Sequence, residues 1–394
     1  MPRWRTTPIV ALLLLFSIAI DGGTVAPASS AQSFPTAVIW RIEVAALPVA
    51  PPVSSADRLF LALKSGVSAH RLADGSEIWR TPIEVDAPMA VSRDRLVVVV
   101  KEELQALDGS TGSVAWSDHA GRLTAPPVIH GDFLIVAAGE QVICYRVADG
   151  TRVWARDTGG VEQRPAVDGT RVFVPAADGR LIALKLDNGE PIWEFTIGIK
   201  PTEPLVYGGR VFVGAESKRV CSIRPDTGKD EWCYQVGAAV VGRPAADESH
   251  VYFVAYDNLL RAHDRRNGAY RWKRDLKYRP SAGPYLVGES IAVPGNVPRV
   301  QVFDTRKGQP TVLLTLATKL ATVPLLIEPD KDAPDGSTRI AALTGGLMKS
   351  WTVTLAGPAP VAPAVPVVPL TALPGAVIPI GAPPLPPVRL LRGA

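Results

Sequence analysis

A glycine followed four residues later by tryptophan recurs along the chain at Gly75/Trp79, Gly112/Trp116, Gly150/Trp154, Gly189/Trp193, Gly228/Trp232 and Gly268/Trp272. A seventh copy, Gly308/Val312, keeps the spacing and loses the tryptophan. Successive glycines stand 37 to 40 residues apart. A second marker has the same period. Pro52, Pro88, Pro127, Pro165, Pro204, Pro244, Pro284 and Pro324 each precede an apolar run, at intervals of 36 to 40 residues. Two independent features on one period define a structural repeat. A repeat limits the fold strongly, because one unit cannot bury its apolar faces without its neighbours.

One copy, "RVFVPAADGRLIALKLDNGEPIWEF" from Arg171 to Phe195, shows the unit's grammar. An apolar run Val172–Pro175 meets a turn at Asp178-Gly179. A second run, Leu181–Leu186, meets a turn at Asp187-Asn188-Gly189, and Ile192-Trp193 opens a third strand. With the Pro-led run ahead of it, each unit supplies four short strands. A period of ~40 residues with four strands is the blade of a β-propeller. The runs "RVFVPA", "RVFVGA" and "HVYFVA" are apolar at nearly every position, as expected of strands covered on both faces.

The ends of the repeat suggest how the ring shuts. The unit beginning at Pro324 runs out after about three strands. Trp40, in "TAVIWRIEV", stands 39 residues before Trp79 with no blade ahead of it. The reading is an all-β, eight-bladed propeller over residues 36–355, with residues 36–46 as the outer strand of the last blade. Residues 40–355 number 316, or 39.5 for each of eight blades. A ring of seven, leaving the degenerate last unit outside, is the alternative.

The flanks differ in character. Arg3 and Arg5 precede the apolar stretch Ile9–Ile20, and small residues at Ser29–Ala31 offer a cleavage site. Residues 1–31 therefore read as a signal peptide or an N-terminal membrane anchor. The apolar core, at 12 residues, is shorter than the ~20 of a membrane span. The expected location is the periplasm or cell envelope. Residues 356–394 hold 11 prolines and no acid, which predicts an extended, disordered tail.

The net charge of +4 is made of interspersed acids and bases, which argues against nucleic acid as a partner. Three cysteines are too few for a disulfide framework and lack zinc spacing. Cys221 and Cys233 flank one turn, "CSIRPDTGKDEWC", and a hairpin symmetric about Thr227 would set them face to face. A disulfide and two separately buried thiols are both open at this stage. Cys144 reads as core. His70, His119, His130, His250 and His263 show no metal-ligand spacing. Asp74, Asp108, Asp149, Asp178, Asp187, Asp226 and Asp304 stand in turns, where backbone hydrogen bonding accounts for them. No nucleophile elbow and no phosphate loop occurs. Arg261–Arg279, with eight basic residues and two acids, is a concentrated charge that suits an acidic partner, an anionic glycan or lipid headgroups, or reads as a solvated hairpin whose Trp packs inward.

"LDGSTGSVAW" (Leu107–Trp116), "LKLDNGEPIW" (Leu184–Trp193) and "RPDTGKDEW" (Arg224–Trp232) resemble the tryptophan-docking motif of the PQQ-type propeller superfamily. That superfamily holds the quinoprotein alcohol and glucose dehydrogenases and the non-catalytic outer-membrane assembly factors of the BamB family. The resemblance covers residues 36–355. It implies that Trp40, Trp79, Trp116, Trp154, Trp193, Trp232 and Trp272 wedge between adjacent blades. Burying each would contribute roughly 2–3 kcal/mol. Quinoprotein dehydrogenases carry adjacent cysteines, a carboxylate-held calcium and a catalytic Asp. This chain has no adjacent cysteines, so no catalytic, cofactor-binding or metal residue is assigned. The BamB-like reading implies a non-enzymatic, monomeric scaffold within a complex. Its partners would be envelope proteins such as the outer-membrane β-barrel insertase. BamB-type proteins are usually lipoproteins, and no Cys stands near Ser29–Ala31, so membrane association would fall to the N-terminal segment. A glycan- or protein-binding surface propeller and a quinoprotein-type oxidoreductase are the alternatives.

Overall fold

The computed structural model describes residues 37–44, 46–55, 57–297, 299–315, 325–327, 339–345 and 351–357. The segment 1–31, the tail from 358 onward and Pro324 lie outside the described residues. Among those described, every regular element is a strand, and the strands form eight four-stranded antiparallel sheets. Seven are built from consecutive strands, and each forms one blade of the propeller. Blade 1, for example, comprises Val53–Ser55, Arg58–Leu63, Gly66–Arg71 and Glu77–Thr81 from the inside out. Blades 2 to 7 repeat this order, beginning at Ala90, Val128, Ala166, Leu205, Ala245 and Tyr285.

The eighth blade is composite. Leu325–Ile327, Arg339–Gly345 and Trp351–Gly357 supply its inner three strands, and Ala37–Val44 supplies the outer one. The register runs from Ala37 opposite Gly357 to Val44 opposite Trp351. Trp40 then docks on blade 1. It is buried with Val44 against Leu59, Leu61, Leu63 and Leu72, and its indole N–H donates to the Leu72 carbonyl at 2.8 Å. The N-terminal strand therefore completes an eighth four-stranded sheet and docks it on blade 1, as the eight-unit reading expects. The strand partner reaches Gly357, two residues past the expected end of the repeat.

The middle strands are buried at almost every position, as in Phe133–Ala138 and Arg210–Gly214, while outer strands such as Pro191–Thr196 alternate. A middle strand is covered on both faces by the neighbouring blades, whereas an outer strand has one wet face. The core accordingly consists of clusters lying at the seams. One joins Ile135, Cys144 and Trp154 of blade 3 to Val172, Val174, Ile182 and Leu184 of blade 4.

A β-bulge falls at the same point in blades 1 to 7, where the third strand pairs with the fourth. In blade 4, Ala183 faces Trp193 but Leu184 faces Pro191, so Ile192 is the extra residue. Side chains alternate faces along a strand, so one inserted residue decides which seam the indole enters.

The segments that lead from one blade into the next are pinned. Pro48, Leu123, Val161, Pro201, Val240 and Pro280 each form a bridge to the end of the second strand of the blade they enter. These connections and the hairpins between second and third strands make one face of the ring, called here the connection face. The remaining turns make the opposite face.

Candidate functional site

The repeat residues go to the seams. Each of Trp40, Trp79, Trp116, Trp154, Trp193, Trp232 and Trp272 lies over the turn glycine of the following blade. At Gly189, φ is +69° and an added Cβ would stand 2.6 Å from the Trp154 ring, so only glycine fits there. Six of the seven indoles donate to a carbonyl across the seam, Trp154 to Leu186 at 2.7 Å among them. Trp232 has no such partner among the described residues. These side chains face packed protein, so they offer no site.

The histidines do not converge. His70 and His263 occupy the same repeat position, and each ring Nδ1 donates to the carbonyl of its turn glycine. Burial lowers the pKa of both. The His70 Nε2 accepts from the Ser68 hydroxyl, whereas the His263 Nε2 is buried without a partner. Five of the seven turn acids cap backbone: Asp74 accepts from Ser76, Asp108 from Ser110, Asp149 from Thr151, Asp178 from Arg180 and Asp304 from Lys307, whereas Asp226 pairs with the Arg224 guanidinium and Asn188, not Asp187, caps its turn. The Ser110 hydroxyl foremost holds the Asp108 carboxyl down at about 2. Cys221 stands opposite Cys233 with a Cα separation of 4.2 Å, and the two are joined. Cys144 is free and buried, which pushes its thiol up to about 12.

The basic stretch Arg261–Arg279 is largely engaged within the fold. Arg261 pairs with Asp257 and Arg271 with Asp264. Arg265 donates to the Glu248 and Gly208 carbonyls and lies over the Tyr207 ring. Arg274 bonds the Gly308 carbonyl of the next blade. A dense run of bases in the sequence thus gives scattered, partnered guanidiniums on a hairpin.

Free chemistry gathers instead at the centre of the connection face, around a cavity of about 1220 Å³. Its wall includes the residue immediately before the repeat proline in six blades: Pro51, Pro126, Arg164, Glu203, Arg243 and Gly283. Blades 1 to 3 give it an uncharged side, with Pro88 and Met89 alongside those prolines. The connections entering blades 4 to 6 give it a charged side. Arg243 stands 3.8 Å from Glu203. Lys200 lies between Glu162 at 4.0 Å and Glu216 at 3.9 Å. The connections meet backbone to backbone at Gly283, where a Cβ would come 2.2 Å from the Arg243 carbonyl oxygen. Tyr285 lines the same space, and burial foremost, with Glu203 second, raises its phenol pKa.

Exposed apolar side chains mark the same face. Leu47, Val49, Ile199 and Tyr256 all stand in its connections or hairpins, and Ile199 is 68% exposed. The other large exposed hydrophobics described, Ile39, Ile78, Val114, Ile192, Tyr234, Tyr270 and Leu313, stand one to a blade on outer strands. The opposite face has none among the described residues. Leu47, Val49, Ile199 and Tyr256 carry no motif in the sequence that marks them. The one signal available was variation at the residue preceding each repeat proline.

The quinoprotein set finds no match here. Among the described residues no three His, Cys, Asp or Glu side chains gather to hold a metal. The cavity carboxylates Glu162, Glu203 and Glu216 each lie beside a Lys or Arg. With no adjacent cysteines in the sequence, the residues present do not fit a calcium-held quinone.

Eight four-stranded blades with tryptophans over turn glycines define a β-propeller of the PQQ-like class. A family profile described as "Outer membrane protein assembly factor BamB" matches residues 31–123, 117–195 and 196–324, and the chain belongs to that family. It is 34% identical over 131 residues to the outer membrane protein assembly factor BamB of Alkalilimnicola ehrlichii. It is 29% identical over 136 residues to that of Legionella pneumophila. The matched segments span 34% and 35% of those two relatives. Among solved structures, BamB from Moraxella catarrhalis superposes with a TM-score of 0.65 at 23% identity, over 80% of this chain and 97% of that one. The quinohemoprotein alcohol dehydrogenase from Comamonas testosteroni gives a TM-score of 0.64 at 12% identity, over 82% of this chain and 76% of that one. The fold is thus shared between the two functional classes.

Proposed function

We propose that the protein is an exported, non-catalytic propeller that scaffolds envelope proteins, with a BamB-like role in outer-membrane protein assembly. The observation that carries this reading is the distribution of exposed apolar side chains. Among the described residues, apart from single side chains on the outer strands, they stand on the connection face around a cavity whose carboxylates each lie beside a Lys or Arg. Connections held on a rigid ring are where binding residues usually sit. Membership of the BamB family supports the assembly role, and the apolar segment Ile9–Ile20 supports export. The cysteine and carboxylate pattern weighs against the quinoprotein reading.

The test is capture from detergent-solubilised envelope with the tagged full-length protein, paired with outer-membrane protein levels in a deletion strain. The expected result is recovery of a component of the β-barrel insertion machinery and a fall in barrel proteins. Normal barrel assembly together with no captured component would overturn the role.

A further inference from the structure

We propose that the connection-face cavity binds a short polypeptide segment through one of its carboxylate side chains, held between Arg164 and Arg243, with apolar flanks against the proline-lined wall. The proposal rests on the scaffold reading and names the chemistry of its partner.

The argument begins with unsatisfied donors. Among the described residues Arg164 makes no ion pair and no side-chain hydrogen bond, and its Nε is buried without a partner. A guanidinium offers five N–H donors and no acceptor, and Arg164 is half-buried at the cavity, so its fork is placed to meet an acceptor entering there. The Tyr285 hydroxyl likewise has no hydrogen-bond partner within the described protein, and both Glu203 and Arg164 lie near enough to bias its ionisation. Arg243 meets Glu203 at 3.8 Å, an ion pair too long for a hydrogen bond. Around Arg164 the polar groups are therefore mostly donors, and Arg164 is the one base of the cavity without an acid beside it among the described residues.

Charge decides among the acceptors. Glu162, Lys200 and Glu216 carry one excess negative charge, so the six charged residues of the cavity balance, which disfavours multiply charged anions such as a phosphate dianion or a polyanionic surface. A single carboxylate matches the one guanidinium, Arg164, that has no acid beside it among the described residues. Shape and polarity decide the rest. A volume of about 1220 Å³ exceeds the usual ~300–1,000 Å³ of a small-molecule pocket. Its opposite wall, with Pro51, Pro88, Met89 and Pro126, offers no charge and suits apolar side chains. An extended segment with an acidic residue between apolar ones satisfies both walls at once. Arginine also suits the task, since its fork binds a carboxylate through two parallel hydrogen bonds.

The experiment uses the full chain and two end-blocked peptides, Ac-Ser-Leu-Ala-Glu-Ala-Leu-Ser-amide and its Gln counterpart, each carrying a fluorophore for anisotropy. The Glu peptide should bind saturably and the Gln peptide about tenfold more weakly or worse, since a charge-assisted hydrogen bond is worth about 1.5–3 kcal/mol. Arg164→Gln should weaken the Glu peptide about tenfold and leave the Gln peptide and the melting temperature unchanged. Inorganic phosphate and vesicles containing anionic lipid should not displace the peptide. Equal binding of the two peptides, no saturable binding of either, or full displacement by phosphate or vesicles would overturn the proposal. Envelope capture with Arg164→Gln separates the two claims. Capture of a partner without Glu-peptide binding leaves the scaffold and removes the site. Glu-selective binding without any captured partner leaves the site and removes the scaffold.

Discussion

The seams and the channel mouth are built from the same repeat and obey opposite rules. At the seams one solution recurs: seven indoles lie over seven turn glycines, and six reach a carbonyl across the gap. At the mouth one repeat position reads Pro51, Pro126, Arg164, Glu203, Arg243 and Gly283 around the ring. The seam solves a packing problem that is identical between each pair of blades, so the answer repeats. Nothing about packing requires Arg in one blade and Pro in another. On the proposed scaffold role, the difference divides the molecule into seams that hold the ring and a mouth that meets the partner.

The comparison breaks first if the seams are not what holds the ring. Removing Ala37–Val44 deletes Trp40 from its pocket on blade 1 and uncovers the edge of Trp351–Gly357. Because an open sheet edge pairs promiscuously, the shortened protein should aggregate and lose its cooperative unfolding transition, read by size-exclusion chromatography and thermal denaturation. Melting like the parent would show that the ring does not depend on this strand.

Gly189→Val is the next largest change. It forces a β-branched residue to φ +69° and drives its side chain into Trp154. Overpacking and left-handed strain together should cost about 3–5 kcal/mol in chemical denaturation. By contrast Arg164→Gln, at the mouth, should leave the denaturation midpoint in place. A large loss from Arg164→Gln would blur the division between the two regions.

The Cys221–Cys233 bridge ties one hairpin within blade 5 and encloses a separation of 12 residues. So short a loop limits its effect, and replacing both cysteines with serine should cost at most about 3 kcal/mol. Mass spectrometry of the non-reduced protein should find the two joined. Two free thiols there would remove the bridge from the account.

The smallest expected effect is a pH dependence at two seams. Burial lowers the folded-state pKa of His70 and His263 below the ordinary 6.5. As the pH falls through 6.5 the unfolded chain takes up protons first, so stability is full above that value and declines below it. The melting temperature should fall between about pH 7 and about pH 5, and less so in His70→Gln/His263→Gln. An identical fall in that variant would mean that other groups carry the acid sensitivity.

Much of the fold was legible in the sequence because packing imposes a period. The Gly–Trp spacing located the seams, the Pro markers located the inner strands, and the orphan strand at Trp40 located the closure. The turn aspartates were legible because an Asx-type hydrogen bond is local. The bulge before each tryptophan was not, since one extra residue leaves no mark in a hydrophobic pattern. The mouth was illegible for a different reason. Arg164, Glu203 and Arg243 are 39 and 40 residues apart in sequence and meet only when the blades close into a ring. The basic stretch Arg261–Arg279 shows the converse, and of its two readings the solvated hairpin is the one the fold favours. Arg261, Arg265, Arg271 and Arg274 lie within 14 residues of one another in sequence, yet the fold sends each to a different acid or carbonyl.

The claim that recognition belongs to the connection face is tested most directly by site-specific photocrosslinking in the native envelope. A crosslinker placed at Ile199, on that face, is compared with the same group at Ile78 and Val114, on outer strands. All three positions are exposed, so each can be replaced without disturbing a seam. The account predicts an adduct with an outer-membrane assembly component from Ile199 and little or none from the other two. Adducts of equal yield from the outer strands, or none from Ile199, would contradict it.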